Sequence, residues 1–259
     1  MAEPAILVTG GSRGIGRALV DALVEAGRPV IVASRGAERE VAGAGVAAWP
    51  LDLAHLASVR ALGERVARER IALAAVVANA GVWPRTRVVT RAGLELGFAV
   101  NHVGHAALVD AVGPAIVDGG RVVVVASGMH AGGRIAWDDL SLAKGFDARA
   151  AYAQSKLANV MYALALARRQ PRWRVNAVHP GVVRTALHER PPPGAIAPAV
   201  AARALAALVL DPALASTTGR YFDQRTPRRP APLALDRASQ DRLWTLTATL
   251  IGGRGRGAR

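Results

Sequence analysis

Short apolar runs rich in valine and isoleucine alternate along this chain with longer segments in which alanine, leucine and arginine recur at the helical period. Short unbroken apolar runs are typical of strands buried on both faces, and the longer periodic segments are typical of helices that pack on one side. The alternation predicts repeated strand–helix units around a parallel sheet. The predicted strands are residues 5–9, 29–33, 46–51, 73–78, 120–126, 174–179 and 219–222, and the predicted helices are residues 14–26, 55–69, 91–116, 150–169, 198–209 and 236–250.

No sequence repeat or Ser/Gly linker divides the chain. We expect a single α/β domain at residues 1–259, of doubly wound Rossmann type, with a parallel sheet of about seven strands and helices on both faces. The cofactor half is predicted at about residues 1–126 and the catalytic and substrate half at about residues 127–259, with a flexible tail at 252–259.

Two irregular stretches interrupt the alternation, residues 127–148 and residues 187–198. Each follows the C-terminal end of a predicted strand, which is where open α/β sheets bind ligands. Irregular stretches of this length in a compact domain are commonly functional. We expect residues 187–198, which contain the proline-rich run PPPG, to form a lid that favours an apolar substrate.

The composition excludes some kinds of site. The chain has no cysteine, so it has no disulfide, no thiolate nucleophile and no cysteine-ligated metal. Its apolar runs are shorter than the ~18 residues of a membrane span. Its first residues, MAEPAILVTGG, lack the basic leader of a signal peptide. We expect a cytoplasmic protein with no membrane span.

The formal net charge is +14, a value that by itself favours nucleic acid or an acidic surface as a partner. The arginines are scattered, however, and aromatic residues make up only 4% of the chain, so stacking platforms for single strands are scarce. We therefore expect no nucleic-acid partner. The two local arginine clusters, RTPRRP at 225–230 and the RGRGAR end, are predicted to be a solvated loop and a frayed end.

A glycine-rich turn, TGGSRGIG at residues 9–16, joins the first predicted strand directly to a predicted helix. Its glycines, spaced G-x-x-x-G-x-G, permit a tight turn, a close approach of the backbone to a pyrophosphate and close packing of helix on strand. The N-terminus of the helix supplies amide donors and the positive end of a dipole. The turn is therefore predicted to bind a dinucleotide, through Gly10, Ser12, Arg13, Gly14, Ile15 and Gly16.

The end of the second predicted strand distinguishes the two nicotinamide dinucleotides. An acidic residue there would bind the ribose hydroxyls of NAD, whereas a basic residue would neutralise the 2′-phosphate of NADP. The strand ends at Ser34 and Arg35, and Arg13 lies in the glycine turn, so NADP(H) is predicted over NAD(H). After the third and fourth predicted strands, further cofactor contacts are predicted at Asp52, Leu53, Asn79, Ala80 and Gly81.

Histidines at positions 102, 105, 130, 179 and 188 raise the question of a metal site. No HExxH motif and no carboxylate-completed cluster accompanies them. We predict no metal, and we expect His102 and His105, one helical turn apart, to cap or pack their helix.

Five motifs follow one another along the chain: the glycine turn, ANAG at 78–81, Ser127, Tyr152-x-x-x-Lys156 and Pro180-Gly181. In this order they resemble the short-chain dehydrogenase/reductase family over nearly the full length of the chain. Longer phrases resemble the branch that contains the retinol dehydrogenases and the WW-domain oxidoreductases. The resemblance implies oxidation or reduction of lipophilic carbonyls and alcohols, mostly with NADP(H). The phrases are VNHVGHAAL (100–108), SGMHAGGRIAWDDL (127–140), YAQSKLANVMYALALARR (152–169) and VHPGVVRTAL (178–187).

Tyr152 and Lys156 lie four residues apart in a predicted helix and therefore on one face of it. Hydride transfer to a carbonyl needs a proton donor at the developing alkoxide, and the reverse reaction needs a base there. A phenol with a pKa of ~10 is a poor base at neutral pH, so we expect the ammonium of Lys156 to lower the pKa of Tyr152. Lys156 is one of only two lysines, with Lys144, in a chain that otherwise uses arginine. A compact ammonium can also hydrogen-bond the nicotinamide ribose.

Ser127 follows a predicted strand, where its hydroxyl can bond and orient the substrate oxygen. By the resemblance, Asn101 holds a water that continues the proton path from the lysine, and Thr185 fixes the nicotinamide carboxamide. The predicted catalytic residues are Asn101, Ser127, Tyr152 and Lys156. The remaining predicted cofactor contacts are Tyr152, Lys156, Pro180, Gly181, Val183 and Thr185.

The sequence thus predicts an NADP(H)-dependent oxidoreductase that transfers a hydride between the cofactor and a carbonyl/alcohol pair of an apolar small molecule. Two alternatives stay open. One is the same fold catalysing a non-redox step such as dehydration, cyclisation or epimerisation, and the other is a cofactor-sensing regulatory protein. A homodimer or homotetramer formed through the predicted helices 91–116 and 150–169 is also open.

Overall fold

A computed structural model of the chain describes residues 3–36, 45–187 and 190–252. Its strands are β1 (Ala5–Thr9), β2 (Val30–Ser34), β3 (Val46–Pro50), β4 (Leu73–Ala78), β5 (Ile116–Val125), β6 (Arg174–His179), β7 (Arg220–Asp223) and β8 (Thr226–Arg228). Its helices are α1 (Gly14–Glu25), α2 (Leu56–Arg68), α3 (an α-helical turn at Leu96–Phe98, a π-helical stretch at Ala99–Val103 and an α-helical part at Gly104–Val112), α4 (Ala148–Arg169), α5 (Pro198–Leu210), α6 (Pro232–Leu235) and α7 (Arg237–Leu250).

The strands form one eight-stranded sheet in the order β3-β2-β1-β4-β5-β6-β7-β8. Neighbouring strands from β3 to β7 are parallel, and β8 is antiparallel to β7. The chain runs outward from β1 to β3 on one side and from β4 to β8 on the other, so the strand order reverses between β1 and β4. A doubly wound sheet binds its ligand in the crevice at the C-terminal ends of such a pair.

Apolar side chains cover both faces of the sheet. In β1, Leu7 belongs to a core shared with α2, α3 and α4, whereas Ile6 and Val8 belong to a second core shared with α1 and α5. The alternation follows from the two-residue period of a strand, and burial on both faces explains why the strand sequences are unbroken apolar runs. The predicted doubly wound α/β fold with helices on both faces is confirmed.

Helix α4, which carries the predicted catalytic pair, is buried at every position from Ala151 to Leu166. Helix α7 packs against it: the ring of Trp244 stacks on Tyr162 with centroids 5.8 Å apart, and Arg169 forms an ion pair with Asp241 at 2.7 Å. Because α4 is enclosed by the sheet on one side and by other helices elsewhere, its sequence shows no polar stripe.

Helix α3 differs from the predicted helix 91–116 at both ends. It begins after Glu95, whose buried carboxylate accepts the amides of Gly97 and Phe98 at 2.7 and 2.8 Å. A carboxylate in this position supplies acceptors for amides that no helical carbonyl can reach, and so sets the start of the helix. At the other end, β5 begins at Ile116 rather than at the predicted position 120.

The sheet has one strand more than the seven predicted. β8 lies inside the RTPRRP cluster, so the prediction of a solvated loop there is wrong for Thr226–Arg228. Its backbone pairs with β7 while its side chains stay exposed. An exposed edge strand needs no apolar pattern, and charged residues protect such an edge from further pairing, which is why the composition indicated a loop.

Some predicted features lie partly outside the described residues. These are residues 188 and 189 of the predicted lid, the first of which is His188, and residues 253–259 of the predicted tail. Within the described part of the chain, no helix is both long and apolar enough to cross a membrane.

Candidate active site

The glycine-rich turn between β1 and α1 passes close to the backbone that follows β4. Gly10 and Gly14 have φ angles of +66° and +56°, in the left-handed region that favours glycine. A Cβ on Gly10 would lie 3.0 Å from the Cα of Ala80, and a Cβ on Gly16 would collide with the carbonyl oxygen of Gly10. The turn has room for backbone only, as the approach of a pyrophosphate to the helix N-terminus requires.

Asn79 joins this turn to the end of β4. Its side-chain amide donates to the carbonyl of Thr9 at 2.8 Å, and its backbone amide donates to the Thr9 hydroxyl at 2.9 Å. The amide of Ala80 donates to the same hydroxyl at 3.0 Å. The side chain of Asn79 therefore fixes the two strand ends that border the crevice.

The end of β2 carries groups suited to a phosphate. The hydroxyl of Ser34 is buried and has no hydrogen-bond partner among the described residues, and its neighbour Arg35 is exposed, as is Arg13 in the glycine turn. Buried polar groups are normally hydrogen-bonded, and guanidinium groups form strong charge-assisted bonds with phosphate. This donor set fits the 2′-phosphate end of an NADP cofactor.

Asp52 and Leu53 follow β3 and differ in what they offer. The carboxylate of Asp52 accepts the amide of Ala54 at 2.9 Å and lies 3.1 Å from Nδ1 of His55, and it remains partly exposed. Leu53 is buried and lies against Gly104 of α3, where an added Cβ would collide with the Leu53 carbonyl oxygen. Asp52 can still face a ligand, whereas the side chain of Leu53 is a packing group.

Residues after β6 return to the glycine turn. Thr185 lies beside Gly14, because a Cβ on that glycine would be 3.2 Å from Cγ2 of Thr185. Val183 is buried and forms a parallel bridge with Ile196, and backbone hydrogen bonds join residue 196 to residues 182 and 184. The second half of the predicted lid is thus folded back onto the segment that enters the crevice.

Ser127, Tyr152 and Lys156 come together at the C-terminal end of β5. The Ser127 hydroxyl lies close enough to the Tyr152 phenol to favour its ionised form, and it accepts the amide of Met129 at 3.2 Å. Nζ of Lys156 donates to the carbonyl of Val125 at 3.0 Å and lies 5.5 Å from the centroid of the Tyr152 ring. Two of the other three predicted catalytic residues, Ser127 and Lys156, therefore lie at the ring of Tyr152.

Burial shifts the pKa values of both Tyr152 and Lys156. Burial raises the pKa of the Tyr152 phenol above its ordinary value, and the hydrogen bond with Ser127 opposes that shift. Burial also lowers the pKa of Lys156 to about 8. The expected lowering of the Tyr152 pKa by Lys156 is not seen here, because burial disfavours the phenolate and only Ser127 opposes that effect. A protonated phenol can donate a proton to a developing alkoxide.

Asn101 lies fully buried in the π-helical stretch of α3. Its Oδ1 accepts the amide of Val82 at 2.8 Å, and its Nδ2 donates to the carbonyl of Val82 and to the hydroxyl of Ser155, both at 2.9 Å. The side chain thus holds the loop after β4 against α4, next to Lys156. These contacts position the loop, and the water-ordering role implied by the resemblance stays a prediction.

Sequence reasoning expected His105 only to cap or pack its helix and missed its link to the site. Burial lowers the pKa of His105 to about 4, so the ring is neutral at neutral pH. Nδ1 lies 3.0 Å from the carbonyl of Asn101, which can only accept, so Nδ1 carries the proton. Nε2 then accepts from the Thr9 hydroxyl at 2.8 Å, the hydroxyl that receives the amides of Asn79 and Ala80. The spacing Asn101-x-x-x-His105 was the one available signal.

The other histidine of this helix, His102, is buried and hydrogen-bonds Thr247 of α7 at 2.9 Å. Among residues 3–36, 45–187 and 190–252, no group of three or more histidine, aspartate or glutamate side chains is arranged to hold a metal ion.

Known proteins are similar to this chain in sequence and in fold. The family described as short chain dehydrogenase matches residues 4–193. Retinol dehydrogenase 13 of Homo sapiens is 33% identical over 278 residues, covering 95% of this chain and 84% of that protein. A solved structure of an uncharacterized protein from Mycobacterium Paratuberculosis has a TM-score of 0.79 and 28% identity, covering 97% of this chain and 94% of that one. A blue fluorescent protein from a metagenomic library, solved in complex with NADPH, has a TM-score of 0.70 and 25% identity, covering 85% of this chain and 95% of that one.

This chain therefore belongs to the short-chain dehydrogenase/reductase family, a family of oxidoreductases that bind a nicotinamide cofactor. The match to the family confirms the resemblance read from the motifs. Within the family, the chain is a member of the retinol dehydrogenase branch.

Proposed function

We propose that this protein is an NADP(H)-dependent oxidoreductase that transfers a hydride between the cofactor and a carbonyl/alcohol pair of an apolar small molecule. The observation that carries the proposal is the buried phenol of Tyr152 with the Ser127 hydroxyl beside it and Nζ of Lys156 5.5 Å from the centroid of its ring. A proton donor, a second hydroxyl for the same oxygen and an ammonium are the groups that carbonyl reduction needs.

The proposed proton path runs through these groups. The cofactor, when bound, supplies or accepts the hydride. Ser127 hydrogen-bonds the carbonyl oxygen and holds it near the phenol, and Tyr152 donates its proton to that oxygen as charge develops. With the cofactor bound, Lys156 would hydrogen-bond the nicotinamide ribose and return a proton to Tyr152. Because burial raises the pKa of Tyr152, the free protein holds the tyrosine in its acid form, which favours carbonyl reduction.

The cofactor would be held along the crevice between β1 and β4. The glycine turn would bind the pyrophosphate, Asp52 the adenine, and Thr185 the nicotinamide carboxamide. Arg13, Arg35 and the hydroxyl of Ser34, which has no partner among the residues that the structure describes, would bind the 2′-phosphate. The NADPH complex of the structural neighbour supports the choice of NADP(H).

The proposed substrate is an apolar carbonyl compound or alcohol. Retinol dehydrogenase 13 is named for an apolar alcohol. Residues 191–193 of the predicted lid are three prolines, whose side chains are apolar and uncharged.

The test follows NADPH consumption, then NADH consumption, by the wild-type protein with all-trans-retinal, decanal and benzaldehyde. The matched control is Tyr152→Phe, which removes only the hydroxyl. We expect NADPH to be consumed by the wild type and not by the variant, while the variant still binds NADPH. If the wild type binds NADPH but consumes it with none of these carbonyls, the proposal is contradicted and a non-redox or cofactor-sensing role is favoured.

A further inference from the structure

Trp83 covers the face of the proposed catalytic tyrosine. The two rings are stacked, with centroids 4.5 Å apart and an angle of 15° between their planes. The indole Nε1 of Trp83 donates to the carbonyl of Ala148 at 2.8 Å. Ala148 is the first residue of α4, one helical turn before Tyr152, so the indole is attached to the helix that carries the phenol it covers.

The backbone that bears Trp83 is also held. Asn101 bonds both the amide and the carbonyl of Val82, at 2.8 and 2.9 Å. Rotation of either peptide group of Val82 would therefore break one of these two hydrogen bonds. Asn101, Val82 and Trp83 form a continuous support that ends on the ring of Tyr152.

Cations lie near both rings. The guanidinium of Arg85 lies over the Trp83 ring, 4.2 Å from its centroid, and Nζ of Lys156 lies 5.5 Å from the centroid of the Tyr152 ring. Since the phenol already covers one face of the indole, Arg85 must lie on the other face. Cation–π attraction of this kind adds to the stacking and holds the flat indole in one plane.

Arg85 connects the stack to the predicted lid. Its Nη2 donates to the carbonyl of Leu187 at 3.2 Å, and the amide of Leu187 lies 3.4 Å from the hydroxyl of Thr185. Leu187 is the first residue of the predicted lid. Displacement of the lid would therefore act on the guanidinium that covers Trp83.

We propose that Trp83 is a positioning residue that fixes the ring plane of Tyr152, and that Arg85 links this ring to the position of the lid. A phenol can rotate about its side-chain bonds, but proton transfer needs its hydroxyl to point at the substrate oxygen. Small losses of such alignment are costly in rate. The role in catalysis rests on the proposed function of Tyr152, whereas the stacking itself does not.

A spectroscopic experiment tests the positioning without turnover. The chain has only 3 tyrosines, so NMR of isotope-labelled tyrosine rings gives a small set of signals, and Tyr152→Phe assigns the one of interest. In the wild type the ring signal of Tyr152 should show the ring-current shift of the stacked indole. Trp83→Leu should abolish that shift and bring the titration of the phenol to lower pH, because water replaces the indole. Trp83→Phe should retain part of the shift.

Steady-state kinetics tests whether the position of the Tyr152 ring affects turnover. With NADPH and the carbonyl that the wild type reduces, Trp83→Leu should lower kcat by roughly 10- to 100-fold, leave KM for NADPH unchanged, and be partly rescued by Trp83→Phe. Arg85→Gln should change KM for the carbonyl and weaken the ring-current shift. The matched control is Arg242→Gln, since Arg242 lies 4.4 Å over Trp137 in a similar arrangement, and it should change neither.

The outcomes separate the two proposals. If the Tyr152 signal is the same in wild type, Trp83→Leu and Arg85→Gln, the inference is overturned, whatever the enzyme reduces. If the signal shifts as expected but no carbonyl consumes NADPH, the positioning stands and the proposed function fails. Arg85 is exposed, so its variant remains informative even if Trp83→Leu does not fold.

Discussion

Acid pH should destabilise this protein through two buried histidines of α3. Burial lowers the pKa of His102 to about 3 and that of His105 to about 4, from 6.5. In the unfolded chain both rings titrate near the ordinary value, so below it the unfolded state binds more protons than the folded state. The free energy of unfolding then falls as the pH falls. The stabilisation from the two neutral rings is fully present above about pH 6.5 and is lost as the pH falls from there to the folded pKa values of about 4 and about 3.

The magnitude follows from the size of the shifts. Each pH unit below the unfolded pKa removes about 1.4 kcal/mol per histidine. Between pH 6.5 and about pH 5, His102 and His105 each lose about 2 kcal/mol, or about 4 kcal/mol together. Domains are commonly stable by only about 5–15 kcal/mol, so this is a large share. Burial also lowers the pKa of His130 and His179, and their effect has the same sign.

The assay is urea unfolding followed by circular dichroism at about pH 7 and about pH 5, on the wild type and on a variant carrying His102→Gln and His105→Gln. Each protein is compared with itself at the two pH values, so a constant cost of the substitutions cancels. We expect the wild type to lose about 4 kcal/mol more than the double variant on acidification. Equal losses would refute the reasoning, since they would mean that the two rings are not held neutral by burial.

Three further predictions concern the hydrogen bonds of Thr9, the proposed phosphate contact of Arg35 and the oligomeric state. Thr9→Val removes the hydroxyl that bonds two amides and His105, so the free energy of unfolding in urea should fall by about 2–4 kcal/mol. Thr9→Ser keeps that hydroxyl and should lower it by only about 1 kcal/mol. Equal losses in the two variants would contradict a stabilising role for these hydrogen bonds. Arg35→Ala should raise KM for NADPH about tenfold and leave KM for NADH unchanged, and a parallel rise in both would contradict the proposed phosphate contact. Because α7 covers α4, sedimentation should show a monomer, and a dimer or tetramer would mean that another face associates.

Much of the fold was predictable because its signals are local. β1 and β4 are apolar runs that lie between two layers of helices, and such burial leaves an unbroken pattern in the sequence. The start of α3 was not predictable, because Glu95 reads as an ordinary helical residue until its carboxylate is seen to accept two amides. β8 was missed since an exposed edge strand has no pattern to detect.

In the candidate site, too, some features could be predicted from local sequence and others could not. The glycine turn and the pair Tyr152 and Lys156 follow from spacing alone, because a turn and a helix are local geometries. The raised pKa of Tyr152 does not follow from spacing, since it depends on burial by residues distant in sequence. The stacking of Trp83 is likewise a contact between the loop after β4 and α4, which an isolated tryptophan in the sequence does not reveal.

Transfer of a labelled hydride tests the central claim most directly. NADPH carrying deuterium at both hydrogens of C4 of the nicotinamide ring is incubated with the wild-type protein and all-trans-retinal, decanal or benzaldehyde, and the product is analysed by mass spectrometry. The account predicts an alcohol with one deuterium on its carbinol carbon, formed in step with oxidised cofactor and absent with Tyr152→Phe. A product without deuterium, or one formed while NADPH stays intact, would contradict it.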